Sequence, residues 1–269
     1  MTTFANKTIL ITGGAMGIGK LFAEKGIQDG AKIVIWDINE SALQNTVNEL
    51  KAKGGDISSY VVDVSSPESI EQNAKQVLDA VGTVDIVFNN AGVVVGSYFV
   101  DHTVQQIERT VKINTLGVMH VARAFLPAMM KKGAGHLINI ASAAGMIANP
   151  KMSVYAGSKW AVIGWSDSVR LEMEQMGHKN VHVTTVTPSY INTGMFDGAK
   201  APLLTPILEP AALVEAVWEG VKKNRAFVRA PLTVYLIPMM KGLMPVRVFD
   251  FVAGKLMGVY KSMDQFKGH

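Results

Sequence analysis

Tyr155 and Lys159 are the side chains whose types and spacing most directly indicate chemistry. They are four residues apart, so on a helix they share one face. A free tyrosine titrates near pH ~10, and a neighbouring ammonium group stabilises the phenolate and lowers that pKa. The pair therefore predicts a phenol that can exchange a proton as a general base or a general acid.

A glycine-rich segment near the N-terminus predicts a site for a dinucleotide. Gly13, Gly17 and Gly19 fall between a predicted strand and a predicted helix, where glycines permit a tight turn and let backbone amides approach a pyrophosphate. Asp37 lies 18 residues beyond Gly19, at the end of the next predicted strand. A carboxylate there accepts hydrogen bonds from an adenosine ribose and repels a 2′-phosphate, so the sequence favours NAD over NADP.

The scaffold for these residues is predicted from apolar runs and their spacing. Strands are predicted at 7–12, 32–36, 60–63, 85–89, 136–141, 182–187 and 226–229. A helix-length segment separates each strand from the next, and one such segment opens with Ser66 as N-cap and Pro67 as its first helical residue. Because parallel strands need crossovers that are usually helices, we expect an α/β fold. It is a single doubly wound domain with a parallel sheet of about seven strands and helices on both faces.

Length and composition exclude several classes of protein. The 269 residues are 48% hydrophobic and 18% charged, which suits a large buried core and not a disordered chain. A net charge of +4 is too small to indicate a nucleic-acid partner. The absence of cysteine excludes disulfides and thiol catalysis and fits a reducing, cytoplasmic compartment. We expect neither a signal peptide nor a transmembrane helix, because the N-terminal residues lack a leader pattern and the apolar runs are too short.

Metal binding and serine hydrolase chemistry are not expected. His178 and His182 are four residues apart, but the β-branched run that contains His182 predicts a strand, so the two rings would not share a helical face. No HExxH motif and no third ligand accompany them. The GxSxG turn of a serine hydrolase is also missing from the sequence.

Several ordered motifs resemble the short-chain dehydrogenase/reductase family, over roughly residues 7–193. The glycine loop matches TGxxxGxG, Asp63-Val64 matches an adenine-contacting pair, residues 89–92 match NNAG, and residues 155–159 match YxxxK. The resemblance implies a Rossmann-type domain whose catalytic residues are Asn114, Ser142, Tyr155 and Lys159. It also implies cofactor contacts from Gly13, Gly17, Ile18, Gly19, Asp37, Asp63, Val64, Asn90, Ala91, Gly92, Tyr155, Lys159, Ile191 and Thr193.

The resemblance implies a role for each catalytic side chain. Tyr155 takes the hydroxyl proton as a general base when an alcohol is oxidised, and acts as the general acid in the reverse direction. Ser142 hydrogen-bonds and orients the reacting oxygen, although a serine at that position alone also fits a helix cap. Lys159 holds the nicotinamide ribose, and Asn114 interrupts its helix and helps to hold a water for proton relay. One departure from the family pattern is Ser189, where glycine is common, and its side chain is expected to alter substrate fit.

A substrate lid is implied at about residues 193–210. Leu203, Leu204, Ile207 and Leu208 either face an apolar substrate or pack into the core, and both interpretations stay open. We expect the catalytic domain to span 1–230, followed by an extension over 231–269 that packs on it or projects from it. From Lys241 onward the extension has five basic and two acidic residues.

The extension is apolar as well as basic, and three roles fit it. It could line a substrate entrance, rest on a membrane surface or form a subunit contact, of which the subunit contact is favoured. The tail is also similar to the branch of the family that includes retinol and 17β-hydroxysteroid dehydrogenases. Together with the apolar lid, this similarity favours a lipophilic substrate such as a steroid, a retinoid or a long-chain alcohol.

The leading hypothesis is an NAD-dependent oxidoreductase that interconverts a hydroxyl and a carbonyl on such a substrate. An NADPH-dependent ketoacyl or quinone-type reductase is the alternative, and Asp37 argues against it. A non-catalytic dinucleotide-sensing protein is a third hypothesis, but its usual mark is the loss of Tyr155, Lys159 or Ser142, and all three are present. The resemblance implies a homodimer or homotetramer built on the helices that contain Asn114 and Tyr155.

Overall fold

The strands of the protein form one parallel sheet. A computed structural model of the protein describes residues 1–203 and 205–266. The strands are Thr8–Thr12 (β1), Lys32–Asp37 (β2), Ile57–Val61 (β3), Ile86–Asn89 (β4), Gly135–Ile140 (β5), Val181–Pro188 (β6) and Phe227–Ala230 (β7). They are ordered β3-β2-β1-β4-β5-β6-β7, with every pair parallel. The order reverses between β1 and β4, and in such sheets ligands bind outside the carboxyl ends of the strands at this point.

Helices connect the strands and cover both faces of the sheet. They are Gly17–Gln28 (α1), Glu40–Ala52 (α2), Pro67–Val81 (α3), Val104–Val111 (α4), Val118–Lys132 (α5), Ser153–Gln175 (α6), Pro210–Lys222 (α7), Leu236–Leu243 (α8) and Val246–Asp250 (α9). The predicted start of α3 is confirmed, because Ser66 Oγ accepts a hydrogen bond from the Ser69 N–H at 3.1 Å and Pro67 follows it. The doubly wound α/β fold predicted from the sequence is also confirmed.

Two apolar cores lie on opposite faces of the sheet. Ile9 and Ile11 of β1 point to one face and pack in a cluster with Trp218 of α7. Leu10, between them, points to the other face and belongs to a cluster with Phe125 of α5. All five side chains are fully buried. Burial on both faces explains why the strands are continuous apolar runs rather than alternating ones.

The third strand differs from the prediction. It spans Ile57–Val61, whereas the sequence placed it at 60–63. Pairing with β2 sets its position, from Ile57 opposite Ile33 to Val61 opposite Asp37. The strand lies at the edge of the sheet and is only half-buried, so the polar serines in its first half are tolerated there. Polar residues in an edge strand give little apolar signal, and the prediction was therefore displaced toward the following loop.

The extension beyond Pro231 folds back against the carboxyl end of the sheet. The Leu203 N–H donates to the Met257 carbonyl at 2.8 Å, and the Lys200 N–H donates to the Ser262 carbonyl at 2.8 Å. Leu204 of the predicted lid and Lys267 of the basic tail lie outside the described residues. Across the part of the chain that the structure describes, no helix combines the length and apolarity needed to cross a bilayer.

Candidate active site

Glycines determine the shape of the loop between β1 and α1. Gly13 and Gly17 have positive φ angles of 63° and 55°, a region that side-chain-bearing residues rarely adopt. A Cβ atom on Gly19 would lie 2.0 Å from the carbonyl oxygen of Gly13, so a side chain does not fit there. Met16 provides no side-chain cap for α1, and Ile18 in the first turn packs against the core. The N–H groups of this turn can therefore bind an anion.

The loop after β4 is locked to the glycine loop. Asn90 Nδ2 donates to the carbonyl oxygens of Thr12 and Gly13, each at 3.0 Å. Thr12 Oγ1 accepts hydrogen bonds from the N–H groups of Asn90 and Ala91, at 3.0 and 3.1 Å. The Asn90 side chain therefore holds the two loops together. Next to them, a Cβ on Gly92 would lie 3.6 Å from Lys159 Nζ, so the glycine leaves room beside the lysine.

Asp37 ends β2 beside the glycine loop. Its Oδ2 accepts a hydrogen bond from the Ala15 N–H at 3.1 Å, and its Oδ1 accepts one from the Asn39 N–H at 3.0 Å. These two bonds fix the carboxylate where an adenosine ribose would bind. Both oxygens keep a lone pair for ribose hydroxyls.

The Asp63-Val64 pair lies in the loop after β3, at the same edge of the sheet as Asp37. Asp63 Oδ1 accepts hydrogen bonds from the N–H and the Oγ of Ser65, at 2.8 and 2.7 Å. Val64 packs against the second core, and a Cβ on Gly117 would lie 2.6 Å from its carbonyl oxygen. Hydrogen bonds within the loop and its close packing against Gly117, just before α5, thus hold the loop in place.

Asn114 lies in a π-helical turn, Lys112–Gly117, between α4 and α5. The turn is the local interruption of the helix that the sequence analysis anticipated. The fully buried Asn114 amide bridges two segments: Oδ1 accepts from the Val93 N–H at 2.8 Å, and Nδ2 donates to the Val93 carbonyl at 2.9 Å and to Ser158 Oγ at 3.1 Å. Both N–H groups of the Asn114 side chain already donate hydrogen bonds. A water in the predicted proton relay must therefore bind Asn114 Oδ1 or the backbone.

Ser142, Tyr155 and Lys159 converge at the carboxyl end of β5. Ser142 follows the strand, hydrogen-bonds to Tyr155 and accepts a hydrogen bond from the Ala144 N–H at 3.2 Å, so it also caps a short 3-10 helix. Lys159 Nζ lies 5.8 Å from the centre of the Tyr155 ring and donates to the Ile140 carbonyl at 2.8 Å. One face of α6 therefore presents the phenol and the ammonium group to the strand end.

The titration of this pair differs from the sequence-based expectation. Burial raises the pKa of Tyr155 to about 12, although its hydrogen bond to Ser142 acts in the opposite direction. Burial also lowers the pKa of Lys159 to about 8. The expected depression of the tyrosine pKa is wrong for these side chains alone, because removal from water disfavours the charged form of each. Tyr155 therefore holds its proton at neutral pH.

The loop after β6 closes the site from the other side. The Thr193 methyl group lies 4.0 Å from the position of a Cβ on Gly17, so this loop faces the glycine loop. Ile191 pairs with Leu208 in an isolated parallel bridge and packs against the first core. The glycine loop, Asp37, Gly92 and Lys159 thus all lie near the carboxyl ends of the central strands, where sheets of this order bind ligands in a crevice. Their backbone amides, carboxylate and ammonium group suit a nicotinamide dinucleotide.

A cavity of about 230 Å³ has Ser142 in its wall. Its wall is largely apolar, and Ser189, the departure from the family pattern, is part of it. The lid contributes Phe196, Pro202 and Thr205. The extension contributes Thr233, Val234, Leu236, Ile237, Met240, Phe249, Ala253, Met257 and Val259.

Leu203, Ile207 and Leu208 of the predicted lid are not among the residues that line this cavity. Leu203 and Ile207 are 62% and 43% exposed, and Leu208 packs against the first core. The apolar wall comes mainly from the extension, whose inner side lines this cavity. The lid residues lie in an irregular segment between β6 and α7, so no helix or strand periodicity shows which of them face the cavity.

Sequence reasoning missed a second group of residues beside Tyr155. Phe196 lies edge-on to the Tyr155 ring at 6.0 Å and to the Tyr190 ring at 5.3 Å. Tyr190 Oη lies 2.8 Å from Ser262 Oγ, and Asn149 Nδ2 donates to both, at 3.0 and 2.9 Å. These hydrogen bonds tie the tail to the cavity wall. Their partners are far apart in the chain, so no local spacing could have indicated them.

The histidine pair adds no metal site. His182 lies in β6, as expected, and His178 precedes that strand. Within residues 1–203 and 205–266, no group of three or more histidine, cysteine, aspartate or glutamate side chains is arranged to hold a metal ion.

Comparison with known proteins agrees with this geometry. The family model described as short chain dehydrogenase matches residues 7–203. Human epidermal retinol dehydrogenase 2 is 34% identical over 265 residues, which cover 97% of this chain and 85% of the relative. Estradiol 17-beta-dehydrogenase 11 of Rattus norvegicus is 33% identical over 252 residues, which cover 94% and 84%. These relatives confirm the similarity to the retinol and 17β-hydroxysteroid dehydrogenase branch.

A solved structure extends the comparison to three dimensions. The crystal structure of a short chain dehydrogenase/reductase from Burkholderia phymatum in complex with NAD superposes with a TM-score of 0.82 at 28% identity, covering 90% of this chain and 96% of that chain. The family match, the sheet order and the dinucleotide crevice agree with one another. The chain therefore belongs to the short-chain dehydrogenase/reductase family and is an oxidoreductase that uses a nicotinamide dinucleotide.

Proposed function

We propose that the protein is an NAD-dependent dehydrogenase that interconverts a hydroxyl and a carbonyl on a lipophilic substrate such as a steroid, a retinoid or a long-chain alcohol. The observation that carries this proposal is the largely apolar cavity that has Ser142 in its wall. A pocket with few polar groups binds an apolar body and orients it by one polar end. Two relatives, a retinol dehydrogenase and an estradiol dehydrogenase, support the same substrate class.

Some side chains of this site would position the substrate and the cofactor, and Tyr155 would transfer the proton. Ser142 Oγ would hydrogen-bond the reacting oxygen and hold it beside the Tyr155 phenol. Lys159 would hold the nicotinamide ribose and places its charge near the phenol. Tyr155 is 5% exposed, so bulk water has little access to the proton that it transfers. The bound nicotinamide supplies the hydride acceptor or donor.

The protonation state of Tyr155 decides whether it can donate a proton, as reduction requires, or accept one, as oxidation requires. With its pKa near 12, the phenol is protonated at neutral pH and suits donation of a proton to a carbonyl being reduced. Oxidation of a hydroxyl requires the phenolate, which the charged form of Lys159 favours. Asn114 contributes by holding the Val93 backbone, and thereby the loop that follows β4, in place.

The substrate class can be tested by nicotinamide absorbance. We expect turnover of steroids, retinoids or long-chain alcohols and little turnover of short polar alcohols. In the variant Ile237→Ser, kcat/KM for lipophilic substrates should fall about tenfold, because the cavity loses apolar surface. Leu232→Ser is the matched control, since Leu232 is 82% exposed and outside the cavity wall, and it should behave as wild type. A preference for short polar alcohols would reject the lipophilic substrate.

The preference for NAD over NADP is tested at Asp37. Replacing it with asparagine removes the negative charge, so affinity for NADP relative to NAD should rise by about tenfold. Titration of the two dinucleotides against wild type and Asp37→Asn measures the ratio. Asp37→Ala separates charge from hydrogen bonding, because it also removes the acceptor for the Ala15 N–H. Tighter binding of NADP than of NAD by the wild-type protein would contradict the proposal.

We also propose a homodimer or homotetramer formed through the helices that carry Asn114 and Tyr155. Large apolar side chains are exposed on these helices and on the π-helical turn, among them Trp160, Leu171 and Leu116. Such side chains commonly mark subunit contacts. The cysteine-free sequence supports a reducing, cytoplasmic location.

A further inference from the structure

The helix α8 is apolar on both its inner and its outer side. Ile237 and Met240 line the cavity. Met239 and Leu243 are 56% and 78% exposed. A helix on the surface of a water-soluble protein normally has a polar outer side. A helix that is apolar on all sides is usually buried or in contact with lipid.

The exposed apolar surface continues into the next elements of the extension. Val246 and Val248 of α9 and Phe251 and Leu256 of the π-helical segment Phe251–Leu256 are all exposed. We call the exposed side chains of Met239, Leu243, Val246, Val248, Phe251 and Leu256 the tail face. Adjacent exposed apolar side chains on consecutive helices differ from the single exposed residues that are ordinary on protein surfaces.

Basic side chains accompany the tail face. Lys241, Arg247 and Lys255 are exposed, and Asp250 is the single acidic residue between positions 236 and 256 of the sequence. The Asp250 carboxylate accepts a hydrogen bond from Tyr260 Oη at 2.5 Å. The surface is thus apolar with a net positive charge, which is complementary to a lipid surface that carries negative headgroups.

We propose that the tail face docks on the surface of an anionic phospholipid bilayer, and that the substrate enters the cavity from the lipid. The second part rests on the proposed function. The same short helices that carry the tail face also wall the cavity, through Met240 on α8 and Phe249 on α9. A lipophilic molecule that enters between these helices would meet apolar side chains on its way to Ser142.

The charge of the tail face favours lipid over a second copy of this chain. In a twofold contact through this face, Arg247 and Lys255 of the two copies would approach one another, whereas the Lys241 ammonium group is engaged by the Trp160 ring and the Met146 carbonyl. Like charges in such a contact repel, whereas phosphatidylserine headgroups attract them.

Vesicle flotation tests the docking. We expect wild type to float with vesicles of phosphatidylcholine and phosphatidylserine and to bind pure phosphatidylcholine at least tenfold more weakly. The double variant Leu243→Glu with Val246→Glu should lose flotation, and Arg247→Gln with Lys255→Gln should weaken it on anionic vesicles. Val100→Glu is the matched control, because Val100 is 87% exposed and outside the extension, and it should float as wild type does.

Two further readouts separate docking from catalysis. Turnover of a lipophilic substrate dissolved in anionic vesicles should fall at least fivefold in the Leu243→Glu, Val246→Glu variant, whereas turnover of the same substrate delivered on cyclodextrin should not change. Absence of wild-type flotation, or concentration-dependent dimerisation that this variant abolishes without any vesicle binding, would overturn the docking. Flotation without turnover of any lipophilic substrate would reject the proposed function and leave the docking surface standing.

Discussion

Replacing Tyr155 with phenylalanine is expected to lower kcat/KM by about 10²- to 10⁴-fold, the usual contribution of a positioned general acid or base. The phenylalanine ring keeps the buried, edge-on contact with Phe196 and removes only the hydroxyl that hydrogen-bonds Ser142. Dinucleotide affinity should change little, because the glycine loop and Asp37 are untouched. Steady-state kinetics and a dinucleotide titration on the same preparation separate the two effects.

Tyr190→Phe is the matched control for this prediction. It also removes one buried phenol near Phe196, but the hydroxyl it removes binds Asn149 and Ser262 instead of Ser142. We expect a loss of at most about tenfold, as for an altered pocket contact. A Tyr155→Phe variant that keeps a tenth or more of wild-type kcat/KM in both directions would contradict the assignment of Tyr155 as the proton-transferring residue.

Replacing Gly19 with alanine is expected to weaken dinucleotide binding by at least about 100-fold, a loss of about 2.7 kcal/mol or more. The new Cβ would lie 2.0 Å from the Gly13 carbonyl oxygen and 2.7 Å from Asn90 Nδ2. The first of these atoms belongs to the backbone, so the glycine loop itself has to shift. Because Asn90 Nδ2 donates to this same Gly13 carbonyl, the shift also disturbs the loop after β4.

Gly164→Ala provides the comparison for this substitution. Gly164 lies in α6, and a Cβ there would meet no atom within 4 Å, so the variant should bind dinucleotide as wild type does. It should also be stabilised by up to about 1 kcal/mol, because alanine favours a helix over glycine. Circular dichroism shows whether each variant is folded, and fluorescence titration gives the affinity. Wild-type affinity in a folded Gly19→Ala variant would refute the close-contact argument.

Periodicity and motif spacing predicted most of the fold and the dinucleotide-binding class of the protein. The strands are continuous apolar runs because both faces of the sheet are covered, and Ser66 with Pro67 marks a helix start through hydrogen bonds made within four residues. Tyr155 and Lys159 share a face because four residues make about one helical turn. Each of these features depends on neighbours in the chain, so the sequence shows them directly.

The polar supports of the crevice were only partly predictable. Asn90 was expected near the cofactor, but its amide holds the Thr12 and Gly13 carbonyls and so supports the glycine loop. The Tyr155 titration was predicted in the wrong direction for the side chains alone. Spacing shows that Lys159 is one turn away, whereas the depth of burial that raises the tyrosine pKa depends on elements from the whole chain.

The sequence by itself determined the α/β fold, the family, the nicotinamide dinucleotide and the convergence of the tyrosine and lysine, since each follows from local periodicity or from a contiguous motif. Tertiary structure decided which residues wall the cavity. Met240 and Phe249 reach the cavity because the extension folds back against the carboxyl end of the sheet. Ser262 hydrogen-bonds with Asn149 and Tyr190, each more than 70 positions away in the chain. Leu203 and Ile207 are also apolar side chains, but they are exposed to solvent. Hydropathy describes a side chain, whereas the direction in which it points depends on the packing of the segments around it.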